Sequence, residues 1–156
     1  MDFAAHADLA RALAAAAGPG AGGSLAIVEA TLLPGDATPV HLHETPEGLH
    51  VVVGVLAVFA GGEEIELEAG ESVVAPRGVP HALRAPAGPV RYLSGSFVRS
   101  ASRYEDFLRA VARPLPHAGG WTVGEDAFRL AALGAANGIS LLGAPGELPA
   151  AESRAA

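Results

Sequence analysis

The chain contains no cysteine, which excludes disulfides, thiolate metal ligands and a cysteine nucleophile together. Any metal would therefore have to rest on imidazole and carboxylate groups. Lysine is missing as well, so all 10 positive charges are arginines, set against 17 acids and a formal net charge of −7. The arginines form no stripe that could follow a phosphate backbone, so nucleic acid is not expected as a partner, and anionic membranes are disfavoured for the same reason. No apolar run reaches the roughly 20 residues of a membrane span. The first residues carry acids where a secretory signal begins with bases, and a soluble cytoplasmic protein is the expectation. A chain of 156 residues suits a single domain with a real core.

What is present is a dense punctuation of turns. Residues 2–17 are Ala-rich with Leu9 and Leu13 four apart, predicting a short helix ended by Gly18-Pro19-Gly20. A Gly-rich joint follows as far as Gly23. Short β-branched runs then cover 25–33, 38–43, 49–59, 64–67, 72–75, 81–85 and 90–98, separated by Gly and Pro. Many short strands at close spacing predict a sandwich or small barrel. Ser102 with Glu105, and Thr122 with Glu125, fit the capping-box spacing. They predict one helix to about Ala112 and another to Asn137-Gly138. Residues 139–142 should pack back on the body and 150–156 should fray. The expected division is 1–23 for the N-terminal helix and joint, 24–100 for the barrel, and 101–156 for a helical tail packed on it.

Within the strands, His41 and His43 stand two apart and so face the same side of an extended chain. Glu47, past the Thr45-Pro46 turn, can reach them from the next strand, and His81 supplies a third imidazole. Three imidazoles and one carboxylate suit a single divalent transition metal (Ni, Fe, Mn, Co, Cu or Zn) and not the all-oxygen sites of Ca or Mg. Glu44 is the competing carboxylate, but Glu47 is the one followed by Gly48 and a buried apolar run. The parity that turns the four ligands inward also turns in Leu49, Val51, Val53, Leu83 and Ala85, giving an apolar substrate pocket. Such a pocket suits a planar ligand that chelates through a few oxygens and fits sugars badly. His50 points the other way. Beside it, the apolar Val52 on the outer face suggests a surface covered by a partner, and a homodimer is expected. His6 and His117 read as ordinary exposed imidazoles, and Phe107, Trp121 and Phe128 as packing residues of the terminal helices.

The spacing Gly-x5-His-x-His-x3-Glu-x6-Gly from Gly35 to Gly54, followed by Gly-x5-Pro-x-Gly-x2-His from Gly70 to His81, resembles the paired motif of the cupin superfamily. The resemblance covers residues 22–100. It implies an all-β fold, a cupin jelly-roll β-barrel (double-stranded β-helix) of six to eight strands, with a short N-terminal and two C-terminal helices around it and a metal inside. One departure is Ala85, where the second motif usually ends in Asn; that Asn is not a ligand. The stretch Pro76 to His81, the helix bearing Tyr104 to Leu108, and the tail from Phe128 through Gly138 to Gly143 further resemble the small single-domain cupins similar to quercetin 2,3-dioxygenase.

That second resemblance implies dioxygen-dependent cleavage of a flavonol-like aromatic hydroxy-ketone. It implies His41, His43, Glu47 and His81 as metal ligands and Glu47 as the catalytic base as well. Single-domain cupins of this size also include polyketide cyclases and isomerases, in which the metal acts as a Lewis acid. A non-catalytic metal-binding or small-molecule-binding module is the reading from a different class.

Overall fold

The structure is a computed structural model that describes residues 3–19, 22–111 and 125–145. In order it has α1 (Phe3–Ala17), β1 (Ser24–Leu32), β2 (Pro39–His43), β3 (Glu47–Val53), β4 (Val55–Ala60), β5 (Glu63–Glu68), β6 (Ser72–Ala75), β7 (His81–Arg84), β8 (Val90–Val98), α2 (Ala101–Val111), α3 (Glu125–Ala136) and β9 (Ile139–Pro145). The strands form two antiparallel sheets, ordered β1-β8-β3-β6 and β5-β4-β7-β2-β9. With β9 set aside, these are the two four-stranded sheets of a jelly roll. Their inner faces enclose an aliphatic core of Leu49, Val51, Leu56, Val58, Leu67, Leu83, Ala85, Val90 and Tyr92.

The run expected at 49–59 is two strands in different sheets. Gly54 separates them with φ 89°, and a Cβ there would stand 2.5 Å from the Pro89 carbonyl oxygen, so only glycine lets the chain cross here. Just before it the pairing of β3 with β8 slips: Val51 faces Tyr92 while Val53 faces Arg91. The extra residue, Val52, is a β-bulge that breaks the two-residue alternation. Val53 is consequently 50% exposed and is not part of an inward wall, contrary to the parity prediction.

Helix α1 does not stand apart from the barrel. Leu9 and Leu13 are buried against Leu93, with Ile27, Val52 and Phe97 packed around them. The outer face of the sheet is pared down to receive the helix. A Cβ on Gly48 would lie 2.6 Å from Leu9 Cδ1, and one on Gly95 would lie 2.7 Å from Leu13 Cδ1. Val52, on which the expectation of a partner at that face rested, is partly buried against this chain's own helix.

The C-terminal elements close the opposite side. Helix α2 begins at Ala101 and not after Ser102. The Ser100 carbonyl accepts from Tyr104 N at 3.1 Å and its Oγ from Arg103 N at 3.5 Å, so Ser100 is the cap. Thr122 and the segment 150–156 lie outside the described residues. Helix α3 ends as predicted, with Gly138 at φ 74°, the left-handed conformation that stops a helix. Residues 139–142 do more than pack back: they belong to β9, which pairs with β2 so that Leu141 faces His41 and Ile139 faces His43. Ile139 then packs with Val98, Tyr104 and Phe107. Among the described residues no helix is long and apolar enough to cross a membrane.

Because Leu13 is fully buried between helix and sheet, Leu13→Ala should cost about 2–5 kcal/mol of stability. Equilibrium unfolding in urea measures this, and a loss below about 1 kcal/mol would mean that α1 is not docked in solution.

Candidate metal centre

His41 and His43 lie on β2, His81 begins β7 and Glu47 begins β3 in the facing sheet. His41 and His81 sit directly opposite each other in the β2–β7 pairing, which brings their side chains within reach on one face. His43 follows two residues on, and Glu47 closes the group from across the barrel. One ligand atom from each of the four lies within 4.8 Å of all the others, and all four residues are buried. Glu44, the competing carboxylate, is directed elsewhere and pairs with Arg99 Nη2 at 2.6 Å.

The geometry fixes the roles of individual atoms. His41 Nδ1 donates to the Pro39 carbonyl and His81 Nδ1 to the Val79 carbonyl, each at 2.8 Å. Each bond leaves Nε2 as the atom aimed at the centre, the same device by which metal-bound imidazoles are oriented in general. Glu47 Oε2 lies 2.8 Å from His81 Nε2, 3.4 Å from His43 Nε2 and 3.7 Å from His41 Nε2. Only the first is a hydrogen bond; the last is too long and acts electrostatically. Imidazoles holding one ion through nitrogens at about 2.0–2.1 Å would have ring centres separated by roughly 4.5 to 5.5 Å. The observed separations are 4.3, 5.2 and 5.5 Å.

A buried atom without a partner supplies the test of fit. His43 Nε2 is buried and makes no hydrogen bond, a costly state for a polar nitrogen unless something else binds it. A divalent cation at the centre would satisfy it. The same cation would replace the proton that His81 must otherwise hold on Nε2 to bond Glu47. The donor set of three nitrogens and one carboxylate oxygen fits a first-row transition metal.

Electrostatics agree with this. Burial pushes the His43 pKa down to about 4, against the opposing attraction of Glu47. Burial alone would raise Glu47, but the imidazoles, His43 foremost, hold it well below the usual carboxylate range. For His81 burial is the largest single influence and lowers the pKa, but the bond to Glu47, the Glu47 charge and the bond to the Val79 carbonyl together outweigh it, with a net upward shift.

Other predicted residues separate cleanly. Leu49, Val51, Leu83 and Ala85 are fully buried and pack on one another along the strands that carry Glu47 and His81. His50 faces outward, its Nδ1 2.8 Å from Ser72 Oγ. Phe107 is a packing residue as expected. His117 and Trp121, and the side chains of His6 and Phe128, lie outside the described residues.

Two residues near the site carried no role in the sequence reading. Ser94 Oγ donates to Glu47 Oε1 at 2.6 Å, and Ser96 Oγ donates to the Pro46 carbonyl at 3.2 Å, steadying the turn before Glu47. Their signal was the alternation Tyr92, Ser94, Ser96 on the inward face of a strand whose other residues are apolar or arginine.

Comparison with known proteins agrees with this fold. Residues 28–95 match the family model described as Cupin domain, the fold that the two sheets display. Comparison with curated protein sequences returned no match. Among solved structures, the chain is similar to a conserved protein of unknown function, SPY1581 from Streptococcus pyogenes, with 22% identity and a TM-score of 0.46 over 49% of this chain and 66% of that one. It is similar to the polyketide cyclase RemF from Streptomyces resistomycificus, with 26% identity and a TM-score of 0.44 over 49% and 56% of the two chains. A third similar structure is the DMSP lyase DddQ from Ruegeria pomeroyi DSS-3, with 27% identity and a TM-score of 0.45 over 49% and 39%. In each case the chain covers less than two thirds of the other protein.

Two outcomes follow for the protein in solution. It should bind one transition-metal ion per chain, and His43→Ala should reduce occupancy severalfold at least, as read by elemental analysis after gel filtration. Metal-free protein should lose stability as pH falls from 6.5 towards about 4, because the unfolded chain protonates His43 where the folded one does not. It should also lose stability as pH rises above 6.5 through the raised His81 value, since there the folded state retains a proton that the unfolded chain gives up. Unfolding midpoints measured across pH with chelator present, and flat on both sides of neutrality, would contradict this.

Proposed function

We propose that the protein is a metal-dependent dioxygenase of the quercetinase-like cupin type, acting on a flavonol-like aromatic hydroxy-ketone. The observation that carries the reading is the convergence of three histidine Nε2 atoms and one carboxylate oxygen on a single buried point, with His43 Nε2 otherwise partnerless. His41, His43, Glu47 and His81 would hold a divalent ion, and the ion would supply Lewis acidity to a substrate that chelates through adjacent hydroxyl and ketone oxygens. A redox-active ion would also supply a partner for dioxygen.

The residues supply the rest. Glu47 is held ionised by its imidazole neighbours and is the group able to take the substrate hydroxyl proton. His41, with 11% of its side chain accessible against 6% for His43 and 1% for His81, marks the side from which a ligand approaches. The apolar cluster of Leu49, Val51, Leu83 and Ala85 keeps the surroundings of low dielectric, which strengthens every charge interaction at the centre.

The protein loaded separately with Ni, Fe, Mn and Co should bleach quercetin in air with at least one metal and not under nitrogen. Absence of bleaching with all four removes the flavonol substrate. Turnover of an aromatic polyketide that is indifferent to oxygen would instead establish the Lewis-acid cyclase chemistry for which Glu47 would serve equally well as base. Glu47→Gln should lower turnover by about a hundredfold or more.

A further inference from the structure

Both oxygens of the carboxylate that completes the cluster are engaged. Glu47 turns Oε2 to the three imidazoles, while Oε1 lies 2.6 Å from Ser94 Oγ. An ionised carboxylate can only accept, so the serine hydroxyl donates. That separation falls in the short range of hydroxyl-to-carboxylate bonds, which are roughly twice as strong as bonds between neutral groups.

Strand register explains how the serine arrives there. Where β3 pairs with β8, Ser96 stands opposite Glu47 and Ser94 opposite Leu49, which makes Ser94 the diagonal neighbour of Glu47, within reach of a long side chain. Ser96 has a different task. Its Oγ lies 3.0 Å from Thr45 Oγ1 and 3.2 Å from the Pro46 carbonyl, so it holds the backbone of the turn before Glu47, whereas Ser94 holds the end of the Glu47 side chain.

Packing does not require a hydroxyl at position 94. The residue is 7% exposed and pairs with a fully buried leucine. Alanine would fill nearly the same space with no polar atom to satisfy, and a buried hydroxyl is costly unless it is bonded.

We infer that Ser94 is a positioning residue that holds Glu47 Oε1, so that Glu47 presents a single oxygen, Oε2, to a bound ion. The inference rests on the reading of His41, His43, Glu47 and His81 as metal ligands, and is independent of the substrate.

Cobalt(II) titration of the full-length protein tests it, with affinity read by chelator competition and coordination by the visible spectrum. Ser94→Ala should weaken binding about 10- to 100-fold and change the spectrum, because Oε1 becomes free to join the metal. Ser94→Thr, which keeps the hydroxyl, should bring both readouts back to those of the wild type. Ser72→Ala, which removes a hydroxyl bonded to His50 on the outer face, should alter neither. A second measurement needs no Ser94 variant to fold. In the cobalt-loaded wild type, the infrared carboxylate bands assigned by difference against Glu47→Gln should show the wide separation of one-oxygen ligation.

Wild-type affinity and spectrum in Ser94→Ala would overturn the inference, even if that variant unfolds at a lower temperature, because the serine would then be structural only. A Ser94→Thr protein as impaired as Ser94→Ala would overturn it too, since volume and not the hydroxyl would decide. So would the narrow band separation of a two-oxygen chelate in the wild type. If the wild-type protein itself binds no cobalt, the metal-site reading falls and takes this inference with it. Wild-type binding with an unaltered Ser94→Ala removes the inference only.

Discussion

A carboxylate that is 4% exposed in the middle of an aliphatic barrel is the constraint from which the rest of the structure follows. Removing such a charge from water costs several kcal/mol even after the protein relaxes around it. The cost is offset only where the charge is paired and both of its oxygens are bonded. Around Glu47 that requires the three imidazoles on one side and the Ser94 hydroxyl on the other. Replacing such a buried group as a whole by well-packed apolar side chains is often neutral or stabilising. Retention of an acid among three histidines, one with an orphaned nitrogen, is therefore better explained by a bound cation than by folding.

The jelly roll is what lets these groups meet. Glu47 starts a strand of one sheet, while His41, His43 and His81 lie on adjacent strands of the other, so the ion would bridge the two layers. The supports are local and backbone-based. Pro39 and Val79 carbonyls aim two of the rings, the Gly78 amide donates to the His43 carbonyl at 2.9 Å, and Thr45 Oγ1 donates to the Phe97 carbonyl at 3.0 Å. Each of these ties a turn to a strand next to a ligand. A site built this way on sheet elements is held in shape before anything binds, as a preorganised metal site must be.

How much could be read from the residues depended on how local each feature is. The convergence of the cluster was legible because strand parity works over two to four residues: His41 and His43 share a face, and Glu47 begins a new strand after Pro46. The same rule failed at Val53, where the bulge at Val52 adds one residue to the count, and nothing in a run of three valines announces it. Gly54 was readable as a turn residue only once the close approach of the Pro89 carbonyl was known. Val52 looked like a partner-facing residue because the docking of α1 depends on absent side chains at Gly48 and Gly95, and a missing side chain leaves no hydrophobic pattern to read. Ser94 stands 47 residues from Glu47, on a different strand. The bond between them is a tertiary fact, and the serine taken alone is ordinary.

The chain ends have opposite relations to the site, and this bears on where its chemistry is decided. Helix α1 covers the outer face of the sheet that carries Glu47 and acts on stability. Helix α2 and β9 lie on the other side. β9 runs beside the strand of His41 and His43, and α2 packs Tyr104 and Phe107 against Ile139 of β9. The four ligands, standing on strands of a common fold, are compatible with several reactions. Differences in reaction then come from what surrounds such a cluster, and here Leu141 and Ile139 of β9 stand beside His41 and His43, beyond the segment at 28–95 that matches the cupin domain.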